Sequence, residues 1–366
     1  MFKSVIFLAC GILILTGCKS TPPAWKRDTS GPPPDTNVIV VPKPAVWPTN
    51  ALTHTLTNAP VVVPPAQVVL RTNEFPETWV SLNRWSLLRG FGSVRRLPVG
   101  TPPTFIAHTS NGTLVMQAES QTAYWDEVEL HLGFMPQLVG GQIFIHRLDL
   151  LKNIEPLLHE PIASTKFDRV IVIDPGHGGD DPGAASADGR FEKQYTLDLA
   201  LRLAPLLQTN GWQVFLTRTN DVAVSLGSRV AFAESHKADL FVSLHFNSSA
   251  PDQTAAGLTT FCLTPTGMAS TLTRDFSDDV TLVFPNNKHD VENWEYAFKA
   301  HRALLDTHLL ADRGMQHARF MGVLRGQNRP SILIEGGYLS NPTEARQIAD
   351  PAFRQKLAGA LAKGLK

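Results

Sequence analysis

Cysteine is scarce in this chain, 3 in 366 residues, and net charge is absent, with 33 acidic side chains against 33 basic ones. The first shortage excludes a disulfide framework and a Cys-x-x-Cys metal or redox site. The second leaves no basic excess to favour nucleic acid and no acidic block to act as a solvating tail. The chain also lacks an apolar run of the ~20 residues that a membrane-spanning helix needs. A His-Glu-x-x-His metal helix is missing as well: His159-Glu160 is followed by Pro161, and Ala163 stands where the second histidine belongs. At this length a sizeable core and two domains are within reach.

What is present begins with a leader. Lys3 precedes an apolar stretch from Val5 to Leu15, and small residues follow, the pattern of a secretory signal peptide. Leu15-Thr16-Gly17-Cys18 resembles the lipobox of bacterial lipoproteins. That resemblance implies that residues 1–18 form the leader and that Cys18 carries the lipid, which makes a membrane a partner. Lys19 is not the Asp that retains many lipoproteins in the inner membrane, so the expectation is an outer-membrane lipoprotein facing the periplasm. Cys10 would leave with the leader, and Cys262, in Leu-Thr-Thr-Phe-Cys-Leu, reads as a small hydrophobe in a strand.

Residues 19–76 are dense in Pro and Thr, with Pro32-Pro33-Pro34 and Pro64-Pro65, and such composition predicts a disordered linker. Over residues 77–158 the pattern changes to short strands and turns, a small α+β module. Thr104–Ala107 and Thr113–Met116 flank Asn111-Gly112, a hairpin signal. A second pairing is expected between Val128–Leu132 and Gln142–Ile145. Trp79–Leu82 and Phe144–Ile145 each run into a short helix, a repeated pattern that resembles the module named for the N-terminal domain of copper amine oxidases. Wall or partner binding is the expected task, and His108, His131 and His146 sit at no ligand spacing.

Residues 167–366 alternate strand and helix, which predicts an α/β fold: a mixed, mostly parallel sheet with helices on both faces. Strands are expected at Val170–Ile173, Gln213–Leu216, Leu240–Leu244 and Ile332–Ile334. Helices are expected at Gln194–Gln208 with Leu199, Leu203 and Leu206 on one face, at Leu226–Ser235, at Glu292–Leu310 and at Pro351–Leu365. The stretch from Thr264 to Asp290 is long for a structureless connection and reads as a flap or accessory.

Three of these strands end in residues of catalytic type. Asp174-Pro-Gly-His177-Gly-Gly follows one, and its glycines leave the imidazole uncovered. His245 and Glu335 close two others, and a carboxylate ending Ile332-Leu333-Ile334 is costly to desolvate without a task. Parallel strands would bring these ends to one edge, where open α/β sheets place ligands. Glu192 stands at a helix entrance, where the helix dipole alone would favour an acid. Two imidazoles, a ligating carboxylate and a second carboxylate are the parts of a metal-assisted hydrolase.

The ordered set Asp174-Pro-Gly-His-Gly-Gly, Asp181-Pro-Gly-Ala, Glu192-Lys193, Thr217–Asp221, Arg229, Ser243-Leu-His-Phe-Asn247, Arg313-Gly314, Val323-Leu-Arg325 and Ile334–Asn341 resembles the zinc-dependent type-3 N-acetylmuramoyl-L-alanine amidases. The resemblance implies cleavage of the amide between N-acetylmuramic acid and the L-alanine of the stem peptide, with peptidoglycan as partner. It implies Zn2+ on His177, Glu192 and His245, and general-base work for Glu335. Arg218, Arg229 and Arg325 read as structural or substrate-orienting. Glu234 departs from the family, which usually has Asn there, and this bears on packing. Some members are controlled by a protein activator that releases an inhibitory helix; residues 292–310 read as the ordinary core helix, and the loop before it is the candidate gate. The competing readings are another zinc-dependent wall hydrolase, a carboxypeptidase or deacetylase, and a non-catalytic wall-binding lipoprotein.

Overall fold

The computed structural model describes residues 75–98, 100–158, 169–186, 189–272 and 277–366. The leader, Cys18 and all of the linker before Phe75 lie outside the described residues. Phe75 itself is buried, beneath Arg84 and Arg89.

The first half is built of short strands. β1 (Trp79–Ser81) runs into α1 (Leu82–Leu88), capped by the Ser81 hydroxyl accepting from the Arg84 amide. β2 (Arg95–Arg96), β3 (Thr104–His108), β4 (Thr113–Gln117), β5 (Thr122–Trp125) and β6 (Val128–His131) form an antiparallel meander. The Asn111-Gly112 hairpin lies between β3 and β4 as expected. β7 (Gln137–Val139) and β8 (Gln142–His146) pair across Gly140-Gly141, and β8 pairs with β1 in a separate three-stranded sheet. The expected pairing of 128–132 with 142–145 is therefore overturned. The glycine turn closes the nearer β7–β8 hairpin, and Asp126-Glu127, both at positive φ, turn β5 back onto β6. After β8 the chain enters α2 (Arg147–Asp149), a π turn to Ile154 and a 3-10 turn to Leu158.

The second half supplies β9 (Arg169–Pro175), α3 (Glu192–Thr209), β10 (Trp212–Leu216), α4 (Leu226–Ser235), β11 (Leu240–Asn247), β12 (Leu258–Cys262), α5 (Asp290–Leu305), β13 (Asp312–His317), α6 (Gly322–Arg325), β14 (Ser331–Tyr338), α7 (Pro342–Ala349) and α8 (Pro351–Gly364). β10, β9, β11 and β14 lie parallel in that order; β12 joins antiparallel and β13 parallel to β12. α8 packs against both α3 and α5 beside one face of the sheet, and α4 and α6 belong to the apolar cluster of the other. This is the mixed α/β sheet read from the sequence. Leu207, not Leu206, completes the buried stripe of α3 with Leu199 and Leu203. α5 ends at Leu305, ahead of the expected Leu310, where Thr307 and His308 turn the chain into β13.

One sheet spans both halves. Met315 of β13 pairs with Leu130 of β6, and the Glu129 amide donates to Asp312 at 2.8 Å, so the meander continues the sheet to eleven strands. Buried polar contacts reinforce the junction. His317 Nε2 donates to Asn153 at 2.9 Å, and Lys152 pairs with Asp290 at 3.2 Å. Residues 65–366 form one compact unit.

Candidate active site

The parallel register sets the site. His245 lies opposite Glu335 on neighbouring strands β11 and β14, and Leu244 lies opposite Pro175 at the end of β9, two residues before His177. The three strand ends therefore open on one edge, and α3 brings Glu192 in at its first turn.

Glu192 sits between the two histidines. His177 Nε2 approaches Glu192 Oε2 at 3.1 Å, and His245 Nδ1 donates to Oε1 at 2.8 Å. The carboxylate also accepts from the amides of Ala184, at 2.9 Å, and Phe246, at 3.1 Å. Among the described residues these three side chains are the one group whose donor atoms all lie within 4.8 Å of one another in a metal-holding set. Close approach depends on glycine: a Cβ on Gly176 would fall 2.2 Å from the His245 ring, and one on Gly183 2.6 Å from Glu192 Oε2.

Burial works against ionising Glu192, yet hydrogen bonds and charge from His177 and His245 hold its carboxyl far below the usual range. Burial likewise opposes charging His245, but Glu192, Glu335 and Asp174 draw it up to about 9. Glu335 moves the other way. Its burial and the neighbouring Glu192 raise it to about 7 against the pull of the two histidines. Its Oε2 is buried with no hydrogen-bond partner among the described residues.

Behind these groups stands a frame of buried cations. Arg229 Nη1 donates to Asp174 at 2.5 Å and its Nη2 to the His177 carbonyl at 2.8 Å. Arg218 donates to the carbonyls of Pro175, Gly176 and Lys193. Asp174 further accepts from Thr217 and Ser243. Both arginines thus pin the turn that presents His177. Arg325 lies apart, exposed on α6 with its guanidinium over the Phe284 ring. Glu234 pairs with the buried Arg329.

In the sequence Asp181 stands only as part of a motif, but in the structure its carboxylate accepts from His177 Nδ1 at 2.9 Å. Its spacing, four residues after the histidine in a glycine-rich loop, was the available signal. His108, His131 and His146 join no metal-holding group among the described residues. Cys262 is buried in β12, its thiol donating to the Asn293 carbonyl. A cavity of about 390 Å³ opens beside the site, lined by His177, Asp181, Leu226, Arg229, His245 and Val323 among others.

A sequence profile described as N-acetylmuramoyl-L-alanine amidase matches residues 171–366. The chain is 33% identical over 218 residues to N-acetylmuramoyl-L-alanine amidase AmiA of Escherichia coli, covering 54% of this chain and 75% of that protein. It is 32% identical over 244 residues to the probable cell wall amidase LytH of Staphylococcus epidermidis, with 66% and 70% covered. Among solved structures, the catalytic domain of CwlV from Bacillus (Paenibacillus) polymyxa var. colistinus is 30% identical, covering 54% of this chain and 96% of that one, with a TM-score of 0.45.

Proposed function

The chain belongs to the N-acetylmuramoyl-L-alanine amidase family and is a peptidoglycan hydrolase of that activity; from this premise we propose that His177, Glu192 and His245 hold a catalytic zinc and that Glu335 is the general base. The observation that carries the reading is the meeting of two imidazoles and one carboxylate within 4.8 Å beside a buried carboxylate oxygen that lacks a partner among the described residues. The donor set fits zinc, which takes nitrogen and oxygen ligands and in hydrolases keeps a position open. It also fits on electrostatic grounds, because one carboxylate facing two imidazoles suits a shared cation better than two protonated histidines. When bound, zinc supplies a Lewis acid that lowers the pKa of water and polarises the scissile carbonyl.

The chain's own residues do the rest. Glu335, raised to about 7 by burial, is matched to taking a proton at neutral pH and giving it back. It takes the proton of the water that attacks the lactyl carbonyl and delivers it to the departing amine of L-alanine. Arg218 and Arg229 hold the carbonyls around His177, so the imidazole keeps its aim without contributing chemistry. The Asp181 carboxylate fixes the other ring nitrogen of His177.

The test is digestion of purified sacculi. Free L-alanine amino termini and lactyl carboxylates are expected, whereas released D-alanine or acetate would overturn the reading in favour of a carboxypeptidase or deacetylase. Glu335→Gln should abolish cleavage with zinc still bound at one equivalent, and unchanged cleavage would remove Glu335 from its role. Chelation should abolish activity and zinc should restore it.

Residues 1–18 are a leader whose Cys18 is lipidated, residues 19–76 a tether, and residues 77–158 a module placed ahead of the amidase domain at 167–366. Support for the anchor is the Leu-Thr-Gly-Cys pattern after an apolar stretch. No helix among the described residues is long and apolar enough to cross a membrane. The enzyme would then stand on the outer membrane facing the periplasm.

A further inference from the structure

The row of residues that carries Glu335 across the sheet does not stop at the amidase strands. Glu335 lies opposite Thr259 of β12. Thr260, its neighbour on the other face, pairs with Met315, and Met315 with Leu130. Glu129, next to Leu130, therefore points to the same side of the sheet as Glu335. A Cβ built on Gly314 of β13 would fall 2.6 Å from the His131 ring and 3.2 Å from Glu129 Cγ, so β13 lies directly against both side chains. From Glu129 the row continues through Tyr124, Val115, Ile106 and Arg95, each opposite the next.

This face of the meander is open. Phe105, Leu114, Ala123 and Leu130 are buried on the other side, while Tyr124 is 39% exposed and Arg95 is exposed. Ile106, Val115 and Glu129 are half-buried, and the flanking positions are Thr104, Thr113, Gln117 and Thr122. An aromatic ring and aliphatic side chains bordered by hydroxyls and an amide suit a sugar ring, which offers apolar C–H faces and polar edges. Arg95 at the far edge, opposite Ile106, adds exposed positive charge, suited to the carboxylates of peptide stems.

We infer that this open face is a second binding surface for the polymeric substrate, holding a glycan strand of peptidoglycan beside the cleavage site. Four strand spacings, about 20 Å, separate Glu335 from Tyr124. The two positions are fixed relative to each other because they share one sheet. The inference rests on the amidase reading and specifies what the module adds: grip on the polymer, with no part in breaking the bond. A soluble muramyl peptide is too short to reach from the site to Tyr124 and should be indifferent to it.

The test uses the full folded chain with Tyr124→Ala and Arg95→Glu, singly and together. Binding is read by co-sedimentation with purified sacculi in the Glu335→Gln background, and turnover is read on a soluble muramyl peptide with Glu335 intact. The double variant should lose sacculus affinity at least tenfold while kcat/KM on the soluble substrate stays within twofold and the thermal midpoint is unchanged. Unaltered sacculus affinity overturns the inference. So does an equal loss on both substrates, because the face would then act through the site or the fold. If the parent enzyme leaves the soluble muramyl peptide intact, the amidase mechanism fails instead, while co-sedimentation still reports on the surface.

Discussion

At the residue scale the site is a matter of which atoms can come close. Glu192 reaches both imidazoles only because Gly176 and Gly183 carry no Cβ. Gly183→Ala adds a methyl 2.6 Å from both Glu192 Oε2 and the His177 ring at a φ of +66°, so it should displace these two proposed ligands and lower the bound zinc below one equivalent by metal analysis. Asp181 acts through His177. Asp181→Asn keeps the shape but weakens the acceptor for Nδ1–H, and the zinc dissociation constant from chelator competition should rise about 10- to 100-fold. An unchanged constant would mean that the loop backbone alone fixes the ring.

Elements deliver these residues with different degrees of redundancy. The turn after β9 is held by two buried arginines, and Asp174 is the acid that compensates Arg229. Breaking a buried pair by removing one partner costs about 3–5 kcal/mol, because the other charge is left uncompensated. Arg229→Ala should therefore lower unfolding stability by that order in urea titrations. The strands ending at His177, His245 and Glu335 were legible because each is an apolar run closed by a polar residue. α7 is not legible in the same way: Asn341, which closes a motif in the sequence, caps it by accepting from the Thr343 and Glu344 amides. β13 is equally hidden in the sequence, since Asp-Arg-Gly-Met-Gln-His has no strand periodicity and is ordered by pairing with β12 and β6.

For the whole molecule, the junction between the halves makes stability sensitive to acid. His317 is fully enclosed, stacked on Trp294 and bonded to Asn153, and burial lowers its pKa from 6.5 to about 3. Below the unfolded value the unfolded chain takes up a proton that the folded chain refuses. Stability is thus lost as pH falls from about 6.5 toward 3, by up to about 5 kcal/mol at 1.36 kcal/mol per pKa unit. His317→Gln should flatten this part of the stability profile, measured by urea unfolding between pH 7 and pH 4. A profile as steep as that of the parent would assign the loss to other groups.

The sequence by itself determined the chemistry and the fold class. Residue types at strand ends, glycines around His177 and the alternation of strand and helix are local signals, written in neighbouring residues. Only the tertiary structure decided that Glu192 stands between the two histidines, that Asp181 backs one of them, and that residues 77–158 continue the amidase sheet. Those facts depend on pairings between residues as distant as Leu130 and Met315. Such pairings are set by which edges and apolar faces find each other, and no single stretch of the chain encodes them.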